Sequence, residues 1–335
     1  MRSLKLEGHS IVSVVDVPEP VPGPGQVVIQ TGVSVLCGSE LHGFRGDGAA
    51  QGNSGHEAMG KVLRVGDGVT RVKVGQRVGV SAIAGCGQPE CEACRQGQST
   101  WCPKFRFHAS MHAEQFLAYE TACLPLPDDV PDQVAVLISG DGLGVPYHTG
   151  LKLSDASIRS IAVFGLGPIG LGHVLLQAYY KRTIIAIDRS PERLALARQF
   201  GATHVIDVKK QDVVQTVKTL TGGKGVDVAI EAAGVPQTAK QCFQVVRTDG
   251  LVVFNGEQPG IELSPSEDFI RRDTRALGSW FFHVGEFPGM LNLYRAGFAV
   301  DRLITHAFPL SQAQAAYDAF AAAKTGKVML TYDAS

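Results

Sequence analysis

At 335 residues, 44% of them hydrophobic, the chain has the material for about two packed domains of ~150 residues each. Its 31 basic and 32 acidic residues are mixed along the sequence and leave a net charge of −1, which gives no electrostatic footprint for nucleic acid or an anionic membrane. The opening "MRSLKLEGHSIVSVVD" lacks the basic-then-apolar layout of a secretory signal, and no apolar run approaches the ~20 residues that span a bilayer, so a cytoplasmic protein is expected.

The first third carries short Val/Ile runs punctuated by glycine and proline. "PEPVPGPGQVVIQTGVSV", "KVLRVGDGVTRVKVGQRVGV" and "AEQFLAYETACLPLP" predict strands joined by tight turns in a β-rich domain. Near Ser160 the texture changes to apolar strands alternating with helices. "SIAVFG" predicts a strand, followed by a helix from about Pro168 to Tyr180 and the strand "TIIAID". Then come helix "PERLALARQF", strand "HVID", helix "QDVVQTVKTL", strand "VDVAIEAAG", helix "PQTAKQCFQVV", strand "LVVFNG" and a sixth strand in "RALGSW". Such alternation predicts a doubly wound parallel sheet with helices on both faces, an α/β architecture. After about Trp280, "PGMLNLYRAG", the amphipathic "LSQAQAAYDAFAAAKTG" and a last strand, "KVMLTY", are expected to return to the first domain.

The strand "IAVFG" runs into Gly165-Leu166-Gly167-Pro168-Ile169-Gly170, of the form GxGxxG, and Asp188 ends the next strand 18 positions after Gly170. Alone the motif is a common tight turn. Between a strand and a helix, it points to a dinucleotide. The first glycine allows the turn, the second lets backbone approach a pyrophosphate, and the third lets helix and strand pack closely. The helix N-terminus supplies free amides to the phosphates. Asp188 is suited to ribose hydroxyls and would repel a 2′-phosphate, so NAD is favoured over NADP; Arg189 beside it moderates that preference.

Seven cysteines are unevenly placed, and an odd total argues against a complete disulfide framework. Cys86, Cys91, Cys94 and Cys102 are spaced C-x4-C-x2-C-x7-C in a polar stretch, which suits a tetrahedral zinc site that folds its own loop. Cys123 and Cys242 sit among apolar neighbours and read as packing residues.

The remaining cysteine, Cys37, ends "VVIQTGVSVL", and His56 follows 19 residues later inside "GHE". Ser39, Glu40, His42 and Glu57 share the same glycine-rich span. Together with "PGPGQVVIQ", "CGSELH", "GHEAMG", the four-cysteine lobe, "GLGPIG", "AIDRSPERLALARQFGA" and "EAAG", these residues make the chain resemble the zinc-dependent medium-chain alcohol and polyol dehydrogenases over nearly its whole length. The resemblance implies a GroES-like catalytic domain at 1–145 with its zinc lobe at 85–103, a Rossmann NAD-binding domain at 146–282, and a return to the catalytic domain at 283–335. It implies one catalytic and one structural zinc, with the active site in the cleft between the domains. By the same resemblance Cys37, His56 and Asp141 match the catalytic zinc ligands, and Glu57 a residue near the metal. Ser39 and His42 match a proton relay, and Arg193 a residue at the adenosine side. The family's zinc is a Lewis acid toward the substrate oxygen. A carboxylate at 141 resembles members acting on secondary alcohols or polyols. A homodimer or homotetramer is implied as well.

The chain departs from the family pattern in three places. Glu40 stands where Asp is usual, at a position whose hydrogen bond orients the ligand His56; the first lobe spacing is two residues long; and "FHASMHAEQF" puts His108 and His112 where glycines are usual. Those histidines read as surface loop residues, with substrate contact as the other reading. Two other functions stand beside the dehydrogenase. One is a zinc-independent quinone or enoyl reductase of the same fold, and the other is a catalytically silent NAD-binding protein holding only the lobe zinc. Metal content separates them, at two, none and one zinc per chain.

Overall fold

Six apolar runs after Ser160 assemble as one parallel sheet in the computed structural model, which describes residues 1–50 and 52–333. Ala334 and Ser335, at the end of the expected C-terminal return, lie outside the described residues. In chain order the strands are Ser160–Phe164, Thr183–Asp188, His204–Asp207, Val226–Glu231, Val246–Phe254 and Arg275–Gly278. Numbered one to six, their spatial order is 3-2-1-4-5-6 with every pairing parallel, the order of dinucleotide-binding sheets. Parallel strands covered on both faces need near-continuous hydrophobic runs, and Ile161–Phe164 and Ile184–Ile187 are buried throughout.

The crossovers are helices Pro168–Tyr179, Pro191–Gln199, Val213–Leu220 and Pro236–Val245. Three begin with proline, whose missing N–H costs nothing in a first turn. Ser190 and Asp212 cap two of them, accepting from the amides of Arg193 and Gln215 at 3.2 and 2.8 Å. Helix Val213–Leu220 buries Val213 and Val217, one turn apart, in a core with Phe164, Ile185, Phe243 and Val252.

A second unit is built around strand Gln26–Val35. Ala58–Val65 pairs along one edge; Gln115–Tyr119 and Lys327–Thr331 share the other. The sheet has seven strands and continues outward through Arg77–Val80 to Cys123–Pro125, and through Lys327–Thr331 to Ile304–Pro309. Gly60 is forced by that central pairing, since a Cβ there would lie 2.0 Å from the Gln30 carbonyl oxygen. The chain thus divides into Met1–Gly144 with Phe281–Ser335, and Val145–Trp280, the division falling inside helix Asp141–Lys152.

Elements absent from the sequence expectation include the hairpin Arg2–Gly8/Ile11–Asp16, strand Ile304–Pro309 and helices Glu40–Arg45, Asp132–Ile138 and Asp141–Lys152. The hairpin turns at His9 and Ser10, both left-handed (φ 52 and 64), with neither the Asn nor the Gly that normally signals such a turn. The predicted helix in "LSQAQAAYDAFAAAKTG" starts with a 3-10 turn, Leu310–Gln312, before helix Ala313–Ala321.

Candidate functional site

Strand Gln26–Val35 ends at a turn carrying Cys37, and the segment entering Ala58–Val65 carries His56 and Glu57. Asp141 opens helix Asp141–Lys152. These elements bring ligand atoms of Cys37, His56, Glu57 and Asp141 within 4.8 Å of one another, all four buried.

The donors are oriented for a cation. His56 Nδ1 lies 2.9 Å from the Ser54 carbonyl oxygen, which can only accept, so Nδ1 donates and Nε2 is the nitrogen turned to the cluster, its lone pair open to a metal once its proton is lost. That Nε2 faces Asp141 Oδ2 at 3.3 Å, a gap that a proton fills in the metal-free fold and that a metal ion would fill in its place. Asp141 Oδ1 is buried with no hydrogen-bond partner. Although burial opposes it, the Cys37 sulfur and the Asp141 carboxylate hold the His56 pKa well above its ordinary value.

Glu57 accepts from the Gly142 amide at 3.1 Å, in the first turn of the helix, and pairs with Lys327 Nζ. Both Glu57 and Lys327 are 0% exposed. The lysine also donates to the Leu36 carbonyl at 3.3 Å. Burial would lower the Lys327 pKa, but Glu57, with help from Cys37 and Asp141, raises it. Counting Cys37, Glu57 and Asp141 as anionic and Lys327 as cationic leaves a formal charge of −2, the complement of a divalent metal. One thiolate, one imidazole and carboxylate oxygen form a donor set suited to zinc. Lys327 went unnoticed in the sequence because a lysine heading an apolar strand reads as a surface end.

Ser39 and His42 lie exposed, three residues apart at the start of helix Glu40–Arg45. The rings of Phe107 and Phe281 stand 5.6 and 6.3 Å from the His56 ring and give the cluster an apolar flank.

Two expectations are corrected. Glu40 does not orient His56; its Oε1 accepts from the Cys37 amide at 2.7 Å and its Oε2 faces His112 Nε2 at 3.0 Å, while the Ser54 carbonyl holds His56. His108 and His112 are not surface residues but are 6% and 0% exposed. His108 donates from Nδ1 to the Ser81 carbonyl at 3.2 Å and accepts from the Tyr119 amide at 3.0 Å, so both ring nitrogens are used internally.

In the lobe, Cys86 and Cys94 sulfurs are 3.7 Å apart and those of Cys91 and Cys102 3.9 Å. A zinc tetrahedron with ~2.3 Å bonds has edges of about 3.8 Å. All four cysteines are free of disulfides, and the amides of Cys86 and Gly87 point at the Cys102 and Cys94 sulfurs at 3.3 and 3.4 Å.

In the parallel-sheet unit, Gly165 is left-handed (φ 86), and a Cβ on it would lie 2.7 Å from Ala233 backbone. At Gly170 a Cβ would fall 1.8 Å from the Gly165 carbonyl oxygen, whereas at Gly167 it would meet nothing within 4 Å. The middle glycine therefore faces open space at the start of helix Pro168–Tyr179, where a pyrophosphate would approach. Ile169 follows in the first turn of that helix, whose amides have no intrahelical partner. Asp188, at the end of the second strand, accepts from the amides of Leu166, Arg189 and Ser190 at 2.6–2.8 Å, tying the glycine turn to the adjoining loop. Arg189 is exposed and Arg193 partly so. Glu231, not singled out in the sequence, ends the fourth strand fully buried and accepts from the Ala233 and Gly234 amides and Thr238 Oγ1 at 2.8–3.0 Å. It organises the loop against which Gly165 packs.

Residues 23–128 match the alcohol dehydrogenase GroES-like domain and residues 168–296 the zinc-binding dehydrogenase domain. The chain is 30% identical to a sorbitol dehydrogenase of Bacillus subtilis over 95% of its length and 93% of the relative's. It is 32% identical to an L-threonine 3-dehydrogenase of Pyrococcus abyssi, covering 94% of each. Among solved structures, an alcohol dehydrogenase from a Thermus species superposes with a TM-score of 0.88 at 26% identity, covering 99% of this chain and 100% of that one. No helix among the described residues is long and apolar enough to cross a membrane. With the parallel sheet, the glycine turn and the two donor clusters, these matches make the chain a member of the zinc-dependent medium-chain dehydrogenase family, whose members are NAD(P)-dependent oxidoreductases of alcohols.

Proposed function

We propose that this chain oxidises a secondary alcohol or polyol to the corresponding carbonyl compound, the carbinol hydride passing to NAD and the hydroxyl proton to water. The observation that carries the reading is the convergence of the Cys37, His56 and Asp141 ligand atoms within 4.8 Å, with His56 Nε2 3.3 Å from Asp141 Oδ2. In this reading Cys37, His56 and Asp141 hold the catalytic zinc, and Cys86, Cys91, Cys94 and Cys102 the structural one. Bound there, zinc supplies Lewis-acid polarisation of the substrate oxygen. The chain's own residues do the rest. Lys327 keeps the Glu57 carboxylate beside the ligands without adding to their charge. Phe107 and Phe281 reduce water around His56. Ser39 Oγ takes the hydroxyl proton, and exposed His42, one turn further on, releases it to solvent.

NAD is assigned to the unit at 146–282, with its pyrophosphate on the Gly165, Gly167, Pro168, Ile169 and Gly170 turn and its adenosine ribose beside Asp188, Arg189 and Arg193. The stretches 1–145 and 283–335 form the catalytic domain. Preference for a secondary hydroxyl is supported by the relatives, since sorbitol is a polyol and C3 of L-threonine bears a secondary alcohol. A cytoplasmic homodimer or homotetramer completes the reading. The test is a spectrophotometric screen for NADH formation over secondary alcohols and polyols, run with NAD and NADP and repeated after chelation. Chelator-sensitive activity with NAD is expected; no turnover of any alcohol with either cofactor would overturn the proposal.

A further inference from the structure

Glu40 and His112 form a buried polar chain that neither the reaction nor packing alone accounts for. The Glu40 carboxylate is 1% exposed and collects three donors: the Cys37 amide at 2.7 Å, Tyr317 Oη at 2.5 Å and His112 Nε2 at 3.0 Å. A carboxylate that meets an amide N–H, a phenol and an imidazole nitrogen is the acceptor at all three contacts. Nε2 of His112 therefore donates, and in the neutral imidazole its Nδ1 accepts from Ser34 Oγ at 2.8 Å. Ser34 Oγ in turn accepts from Tyr332 Oη at 2.7 Å. Every donor in the chain Tyr332, Ser34, His112, Glu40 points the same way, toward the Cys37 turn.

The same imidazole also braces the second ligand turn. A Cβ at Gly55, next to His56, would lie 2.4–2.6 Å from three His112 ring atoms, so the ring lies directly on the backbone that presents His56. The Met111 amide donates to the Gly55 carbonyl at 3.0 Å, locking that contact. On the other side the Glu40 amide returns a hydrogen bond to the Cys37 carbonyl at 3.2 Å, closing the turn in both directions. An aspartate is one methylene shorter and would not span from the Cys37 amide to the imidazole.

We propose that Glu40 and His112 are a positioning pair that sets the spacing between the Cys37 and His56 turns, and through it the affinity of that site for its metal. This rests on the reading of Cys37, His56 and Asp141 as a zinc site. Partners behind a ligand typically change metal affinity by about 10–100-fold when removed.

The test measures zinc retained per chain in full-length protein dialysed against graded chelator, for wild type, Glu40→Gln, His112→Ala and His112→Gln. In Glu40→Gln an amide NH₂ meets the Tyr317 and His112 donors. Glu40→Gln and His112→Ala are expected to release the Cys37-site zinc at about 10–100-fold lower chelator concentration, with the lobe zinc retained as internal control. His112→Gln, which keeps a donor toward Glu40, is expected to recover part of the loss. If His112→Ala does not fold, the shape-conserving Glu40→Gln decides. Wild-type retention of both zinc ions in a variant that merely melts earlier would reduce the pair to packing and overturn the proposal. A wild-type chain that itself binds only the lobe zinc would instead remove the catalytic-site reading, and the pair's role with it.

Discussion

Replacing Lys327 by methionine removes the cation buried against Glu57 while keeping the length of the stem. Both partners are 0% exposed, so the carboxylate left behind has no route to water. Breaking a buried ion pair from one side destabilises by about 3–5 kcal/mol, because an uncompensated charge remains. In a unit of roughly 200 residues, each kcal/mol moves the melting temperature by about 2–4 °C, so the metal-free variant is expected to melt roughly 6–20 °C below wild type. Adding Glu57→Gln removes the stranded charge and is expected to restore most of the loss. Lys327→Met alone takes the pocket's formal charge from −2 to −3, since one positive group is gone, and is expected to tighten zinc retention at the Cys37 site even as it loosens the fold. Thermal unfolding of the metal-free single and double variants by near-UV circular dichroism reads this directly. The reasoning fails if Lys327→Met melts within about 2 °C of wild type, the span of less than 1 kcal/mol, or if the double variant is no more stable than the single one.

Burial presses His108 and His173 each down to about 4 from an ordinary 6.5, so both are neutral in the fold and take up a proton on unfolding below that pH. Their contribution is complete above pH 6.5 and lost as pH falls from 6.5 toward 4, about 3 kcal/mol each at ~1.4 kcal/mol per pH unit. Urea unfolding of His173→Asn at neutral and acid pH is expected to lose less stability on acidification than wild type; an unchanged difference refutes it. Asp188→Ser is expected to narrow the preference for NAD over NADP by at least about tenfold in kcat/KM, or ~1.4 kcal/mol, and a ratio equal to wild type counts against the ribose role. Cys91→Ser is expected to lower metal content by one zinc per chain and expose the lobe to protease, while a variant retaining both ions would show that the four thiolates are not a shared site.

The parallel sheet was legible because its inner strands are buried on both faces and three of its helices begin at Pro168, Pro191 and Pro236. Period and punctuation agree there, and "TIIAID" and "HVID" are strands from first residue to last. The packing role of Cys123 and Cys242 followed from their apolar neighbours, and both are buried. The first hairpin was hidden because ordinary residues occupy its left-handed turn at His9 and Ser10. Helix Asp141–Lys152 was hidden by its glycines and internal Pro146. At the candidate site, cysteine and histidine spacing pointed to residues close together in sequence. Lys327, Tyr317 and His112 lie 270, 277 and 72 positions from the acidic groups they satisfy, and no local pattern announces such a partner.

That distance bears on how the protein is made. Asp141 and Lys327 are 186 positions apart, an interval a ribosome adding ~5–20 residues per second crosses in roughly 10–40 s. For that time the nascent chain already carries Cys37, His56, Glu57 and Asp141 but not the lysine that neutralises one of them. Metal arriving during synthesis meets a more anionic host than metal arriving afterwards. Insertion of the final strand then supplies the lysine that pairs with Glu57.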